Sequence, residues 1–94
     1  KRVTMELKKQ LTIINKLGLH ARAASKLVAT ASKFQSSIQI NRSGQQADAK
    51  SIMSVLMLAA SKGTVLDVTV IGHDAEQAMQ QIETLINNRF DEGE

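Results

Sequence analysis

The sequence predicts an α+β fold, an open-faced β-sandwich in which a four-stranded antiparallel sheet carries three helices on one face. Residues 7–13 and 64–71 alternate apolar and polar side chains, the pattern of strands that turn one face to a core. Three other stretches place apolar residues three and four apart, as one face of a helix requires. With two short strands between the first two helices, the order is β-α-β-β-α-β-α, and 94 residues suffice for one such domain.

The composition is that of a folded globular chain without cysteine. Hydrophobic residues make up 43% of the chain and aromatic residues only 2%, so the core must be built from aliphatic side chains and methionine. The absence of cysteine excludes disulfides and thiolate metal sites and agrees with a reducing cytoplasm. No apolar run could span a membrane, and residues 1–10 are too polar for a signal peptide. We therefore expect a cytoplasmic protein that does not insert into membranes.

The charge distribution favours phosphate or acidic proteins as binding partners. The net charge is +3, and the acidic residues lie mostly toward the C-terminal end. The basic half of the chain holds Lys16, Arg22, Lys26 and Lys33. RNA would also suit such a surface, but proteins that read single strands stack bases on aromatic side chains, and this chain has only Phe34 and Phe90. A nucleic-acid partner is therefore disfavoured.

The first half of the chain predicts three strands and one helix. Residues 1–5 are interpreted as a flexible leader, with Met5 a candidate natural start, and the first strand follows. The first helix is expected over residues 21–33 because the apolar positions 24, 27, 28 and 31 fall on one face. Residues 38–40 predict a short strand, residues 41–44 a turn, and residues 45–49 a weakly patterned return strand with Ala47 and Ala49 pointing inward.

The second helix is predicted over residues 52–59, with Ser51 as its N-cap and Lys62 and Gly63 as its stop. It is apolar nearly all round: Met53 and Met57 lie beside the face formed by Ile52, Val55, Leu56 and Ala59. A small domain cannot bury such a helix completely, so part of its surface is a candidate contact patch. The alternative is that all of it belongs to the core.

The rest of the chain predicts a strand and a long helix. Gly72 ends the strand, Asp74 is a candidate N-cap, and Gln77 completes a capping-box-like pair. The apolar stripe of the helix comprises Ala75, Ala78, Met79, Ile82, Leu85 and Ile86. Residues 91–94 are expected to form a flexible acidic tail. His73 is interpreted as a solvated loop residue, and two histidines at positions 20 and 73 without cysteines form no recognisable metal site.

Residues 15–28 carry the most chemistry. Gly18, His20 and Arg22 lie where a strand ends and a helix begins, and a helix start leaves backbone N–H groups without partners. A neutral imidazole is nucleophilic, and an arginine offers a fixed set of donors to phosphate oxygens. The arrangement therefore suits a phosphoryl group held covalently on His20. The alternative from spacing alone is a surface histidine beside a helix N-cap.

Two motifs extend this interpretation. Residues 17–28 read L-G-L-H-A-R-A-A-S-K-L-V, and residues 49–63 read A-K-S-I-M-S-V-L-M-L-A-A-S-K-G. Together with the acidic-capped last helix, they resemble the HPr family, the histidine phosphocarrier proteins of the bacterial phosphotransferase system, over a single domain of residues 6–90. The family pattern after the histidine is x-R-P, whereas Ala23 stands at the proline position here. That change removes a fixed φ from the first helical turn but no phosphate-binding side chain.

The resemblance implies a phosphocarrier. A phosphoryl group would pass from phosphoenolpyruvate-dependent enzyme I to Nδ1 of His20 and then to an enzyme IIA. Arg22 would neutralise charge around the moving group, and the backbone at Gly18, Ala21 and Ala23 would bind it. No cofactor and no metal is expected, and the protein is expected to be a monomer. The alternative function is a regulatory module, similar to the nitrogen-branch carriers, whose phosphorylation state is read by target proteins without sugar transport.

The resemblance also implies regulatory and docking residues. Ser51 aligns with the family's regulatory serine, so a serine kinase or phosphorylase is a further expected partner. The residues that it assigns to partner binding are Ser25, Ile52, Met53 and Leu56.

Overall fold

A computed structural model describes residues 4–94 as one antiparallel sheet covered by helices on one face. The strands are β1 (Met5–Thr12), β2 (Ser37–Arg42), β3 (Gln45–Asp48) and β4 (Val65–Gly72). The helices are α1 (Ala21–Ala31), α2 (Ile52–Met57) and α3 (Ala75–Asn87), followed by a 3₁₀ turn over Arg89–Asp91. The predicted fold class and element order are confirmed. Of the expected leader, residues 1–3 lie outside the described residues, and Met5 is the first residue of β1.

The strand order is β1-β4-β2-β3, so β4 lies in the middle of the sheet and pairs with both β1 and β2. Leu11 of β1 is opposite Leu66, and Ile38 of β2 is opposite Val70. Alternate residues of each strand therefore point to the same side of the sheet. The strand residues buried on that side are Leu11, Ile38, Ile40, Ala47, Leu66, Val68 and Val70.

Small residues let α1 pack closely between α2 and α3. Its buried side chains are Ala23, Ala24, Leu27 and Ala31, which match the predicted apolar face. The helix ends at Ala31 rather than at residue 33, because the N–H groups of Lys33 and Phe34 turn back to Thr30 and Ala31. Ala23 is fully buried, so its methyl group takes part in this packing.

α2 is shorter than predicted. It ends at Met57, and Ala59 follows with a φ of +50°, a left-handed conformation that stops the helix without a glycine. The predicted stop at Lys62 and Gly63 is therefore wrong, and those residues belong to the turn before β4. The predicted N-cap is confirmed, since the N–H of Ser54 donates to Ser51 Oγ at 3.4 Å.

α3 buries the predicted stripe except for Leu85, which is half-buried, and it does not begin with the predicted cap. Asp74 makes no capping bond; its carboxylate accepts from Ser36 Oγ and from the N–H groups of Ser36 and Gln35 at 3.0 and 2.9 Å. The side-chain bond from Ser36, followed by that from the Gln35 N–H, lowers the pKa of Asp74 to about 2. Asp74 thus ties the loop before β2 to the turn after β4. At 13 residues α3 is the longest helix, and no helix in the described part of the chain is long and apolar enough to cross a membrane.

Candidate functional site

The loop between β1 and α1 is held in place by backbone contacts to the segment after α2. The N–H of Leu19 donates to Ala60 O at 2.8 Å, and the N–H of Gly63 donates to Ile13 O at 2.7 Å. Gly18 has a φ of +68°, and a Cβ built on it would lie 2.4 Å from Ala60 O. Only glycine fits this position, so the loop geometry that presents the next residues depends on it.

His20 is the N-cap of α1. Its backbone is extended, with φ −75° and ψ 178°, and its carbonyl accepts the first helical bond from the N–H of Ala24 at 2.8 Å. The N–H groups of Ala21, Arg22 and Ala23 therefore have no partner within the helix. With no acidic residue in the first turn, no side chain of that turn offsets the positive end of the helix dipole beside the half-buried imidazole.

The backbone of Gly18 was expected to bind phosphate, but its polar groups are used inside the loop instead. Its N–H donates to Asn15 O at 3.2 Å, and its carbonyl accepts from Asn15 Nδ2 at 2.8 Å. Both polar groups are thus engaged inside the turn. Gly18 shapes the loop, while the amides that face an approaching anion are those at the start of α1.

The imidazole of His20 contacts a carboxylate that the sequence did not single out. Nε2 of His20 is hydrogen-bonded to Glu92 Oε2, and Asn15 Nδ2 donates to Glu92 Oε1 at 3.0 Å. Burial acts to raise the pKa of Glu92, but the hydrogen bonds from Asn15 and His20, together with the nearby charge of Lys26, outweigh it and lower that pKa. Glu92 is therefore an anion at neutral pH.

Residues 91–94, expected as a flexible tail, lie against the histidine loop in the structure. Phe90 is fully buried and its carbonyl accepts from Lys26 Nζ at 2.8 Å, while the N–H of Lys16 donates to the carbonyl of Glu94 at 2.8 Å. Phe90 is one of only two aromatic residues in the chain and directly precedes the acidic residues 91–94. It is therefore the one feature of the sequence that indicates anchoring of this segment.

The surroundings of His20 combine both signs of charge. A shallow depression beside the ring is lined by Lys16, Leu17, Ala21, Arg22, Lys26, Asp91, Glu92 and Glu94. Arg22 is exposed, and within residues 4–94 it has no ion pair or side-chain hydrogen bond. Its guanidinium is thus free to meet an anion at this depression.

The sequence matches the model of the family described as PTS HPr component phosphorylation site over residues 7–88. The chain belongs to the HPr family. The HPr of Xylella fastidiosa strain Temecula1 is 54% identical over 86 residues, covering 92% of this chain and 97% of that protein. The phosphocarrier protein NPr of Shewanella violacea is 42% identical over 87 residues, covering 93% and 96%. The crystal structure of HPr-C-His from Thermoanaerobacter tengcongensis superposes with a TM-score of 0.89 at 40% identity, covering 92% of this chain and 97% of that one. This chain is accordingly an HPr phosphocarrier of the phosphotransferase system.

The residues expected to bind partners lie on α1 and α2. Met53 and Met57 are 65% and 67% exposed, and Ile52 is also exposed, whereas Leu56 is half-buried and Val55 is fully buried. The helix therefore divides into a core side and an exposed apolar side. The interpretation that all of α2 belongs to the core is therefore wrong, and part of its apolar surface is exposed as the alternative required.

Other predicted positions are placed as follows. Ser25 is exposed on α1, and Ser51 is half-buried at the start of α2. Leu17, which the sequence did not single out, is 66% exposed at the edge of the His20 depression. His73 is exposed in the turn before α3, and the described residues contain no cluster of three side chains suited to hold a metal ion.

Proposed function

We propose that this chain accepts a phosphoryl group on His20 from phosphoenolpyruvate-dependent enzyme I and passes it to an enzyme IIA. The observation that carries the proposal is the position of the His20 imidazole at the N-cap of α1, beside three amides that the helix leaves unpaired. A phosphoryl group on this ring lies at the positive end of a helix dipole, where anions are stabilised.

The transfer itself needs positioning and charge neutralisation more than covalent chemistry. The N–H groups of Ala21 and Ala23 are fixed donors, and the guanidinium of Arg22 is a mobile donor that follows the phosphoryl oxygens between the two partners. Because these groups hold the phosphoryl group by non-covalent contacts alone, they stabilise its transfer to His20 and its transfer from His20 to the acceptor equally.

The exposed apolar side of α2 is the surface we propose for both partners. Met53 and Met57 are flexible and polarisable, and such side chains adapt to different surfaces. A carrier must release each partner quickly, so a small interface centred on these residues is expected. We propose that the protein is a monomer and that it acts in the cytoplasm.

Ser51 is proposed as a site of regulation by a serine kinase and phosphorylase. Its Oγ lies at the N-cap of α2, next to Ile52 and Met53. A phosphate there adds about −1.5 to −2 charges at the edge of the docking surface. Acidic groups of enzyme I would then be repelled, which slows transfer to His20.

The proposal is tested by incubation with enzyme I and radiolabelled phosphoenolpyruvate. The native chain should take up label that is labile in acid and stable in base, as a phosphoramidate is. His20→Ala should remove the label, whereas His73→Ala, the matched change at the other histidine, should keep it. Label retained by His20→Ala would refute the assignment.

Arg22→Ala should slow the transfer by about tenfold or more, since it removes a charged donor to the moving group. Stability should change by less than about 0.5 kcal/mol because the side chain is exposed. Lys33→Ala, which removes an exposed positive charge beyond the other end of α1, is the control and should leave the transfer rate unchanged. Equal rates for all three proteins would exclude Arg22 from the mechanism.

A second candidate function is the regulatory nitrogen-type branch, favoured by the 42% identity to the Shewanella violacea NPr. The higher identity to the HPr relative favours the sugar branch. Transfer rates from the phosphorylated chain to a sugar-type and a nitrogen-type enzyme IIA separate the two. We expect the sugar-type acceptor to be the faster, and the reverse order would assign the chain to the regulatory branch.

A further inference from the structure

We infer that Asn15 and Glu92 are positioning residues that keep the proton of His20 on Nε2 and so leave Nδ1 as the atom that receives the phosphoryl group. The inference rests on the proposed function of His20, and it concerns how the rest of the chain prepares that ring. Asn15 and Glu92 are 77 residues apart in sequence and act through contact with each other and with the imidazole.

The position of the proton follows from the partner of Nε2. A carboxylate can only accept, so the ring nitrogen that bonds to Glu92 Oε2 must carry the hydrogen. In a neutral imidazole the other nitrogen then holds a lone pair. No hydrogen bond within residues 4–94 involves Nδ1, which is therefore free to attack phosphorus.

Asn15 fixes the orientation of that carboxylate. The residue is fully buried, and both hydrogens of its amide are used, one on Gly18 O at 2.8 Å and one on Glu92 Oε1 at 3.0 Å. Reversing the amide would set its oxygen against two acceptors, so the orientation is determined. Among the described residues 4–94, its own Oδ1 is buried without a hydrogen-bond partner.

The same contact serves the transfer step. As the bond between phosphorus and the donor's leaving atom breaks, its electron pair stays on that atom, and the Nδ1 lone pair forms the new bond to phosphorus. The Nε2 proton stays on the ring, so the imidazole gains one positive charge while the bond forms. The anionic Glu92 lies against that proton and balances the new charge, and passage to the acceptor reverses each change.

Glu92→Gln provides a sharp test because Asn15 dictates how the new amide must lie. The Gln oxygen must accept from Asn15, so the Gln NH₂ group faces His20 and needs an acceptor there. The ring proton is then driven to Nδ1, the atom that should attack. We expect the rate of phosphoryl transfer from enzyme I to fall by about tenfold or more, the scale found when a partner that orients a functional histidine is lost.

Glu92→Ala distinguishes positioning from simple structural support. Alanine has no side-chain donor or acceptor for Asn15 or for the imidazole of His20, so both neutral tautomers of the ring are populated. The transfer rate should therefore lie between those of the native chain and Glu92→Gln. Structural support alone predicts the opposite order, since glutamine is the closer replacement in shape. The matched control is Glu94→Gln, which removes the same charge from the same depression without a contact to His20.

Nitrogen-15 NMR of the neutral imidazole supplies a second readout. The native chain and Glu94→Gln should carry the proton on Nε2, and Glu92→Gln should carry it on Nδ1. A native tautomer in Glu92→Gln, or a transfer rate above that of Glu92→Ala, would overturn the inference while leaving His20 as the carrier. Absence of label from the native chain would instead overturn the proposed function itself.

Discussion

Replacing Gly18 with alanine should damage both the stability of the domain and the presentation of His20. The backbone at Gly18 has a φ of +68°, which costs an alanine about 1–2 kcal/mol. The added Cβ would also lie 2.4 Å from Ala60 O and 2.8 Å from Ser61 Cα, so the loop must move away from the segment after α2. That movement breaks or lengthens the bond from the Leu19 N–H to Ala60 O, worth about 1 kcal/mol.

The two effects sum to about 2–3 kcal/mol of lost stability. For a domain of this size each kcal/mol lowers the melting temperature by about 4–8 °C, so a fall of about 10–20 °C is expected. Thermal unfolding followed by circular dichroism measures it. Gly44→Ala is the control: its φ is +90°, but nothing lies within 4 Å of the added Cβ, so it isolates the backbone strain. Equal falls for the two variants would refute the contact with Ala60.

Three further changes test other parts of the structure. Met53→Glu should weaken binding to enzyme I by about tenfold or more in a titration while changing the melting temperature little. The control, Val55→Glu, places the same charge at a buried position and should unfold the domain. A large fall in melting temperature for Met53→Glu would place that side chain in the core. Ser51→Asp should fold normally yet slow phosphorylation of His20 severalfold. Ser51→Ala should lose about 0.5–1 kcal/mol of stability and transfer normally. A native transfer rate for Ser51→Asp would mean that Ser51 acts only as the N-cap of α2. Folding lowers the pKa of Asp74, so its hydrogen bonds should stabilise the domain fully above pH 3.8 and be lost as the pH falls toward about 2. Over this pH range the melting temperature of Asp74→Asn should therefore fall less steeply than that of the native chain. Parallel curves for the two proteins would contradict the assignment.

The parts of the fold that the sequence predicted are those governed by local periodicity. The alternation along residues 64–71 and the apolar stripe of α3 fix which side of each element is buried, whatever the rest of the chain does. The position of His20 at a helix start follows in the same way from the spacing that begins at Ala24. The fold class and the order of the elements follow from these patterns and are confirmed, whereas the strand order β1-β4-β2-β3 depends on pairing between distant residues.

The parts that the sequence did not predict depend on residues distant in the chain. Asp74 has the sequence features of an N-cap, but pairing of β2 with β4 brings Ser36 beside it, and the three donors there replace the cap. Glu92 lies in a run without any period, and its place beside His20 is set by burial of Phe90 and by Lys26. The early end of α2 rests on a left-handed alanine, a conformation that no sequence pattern favours.

The contact between His20 and Glu92 has a consequence for the synthesis of the protein. The two residues are 72 positions apart, so a ribosome that has already released the histidine loop must still translate most of the domain before the carboxylate that orients the ring exists. β1 likewise waits for β4, the strand with which it pairs in the described residues 4–94. If His20 is the carrier as proposed, nascent chains should therefore contain the phosphorylation motif long before they can be phosphorylated efficiently.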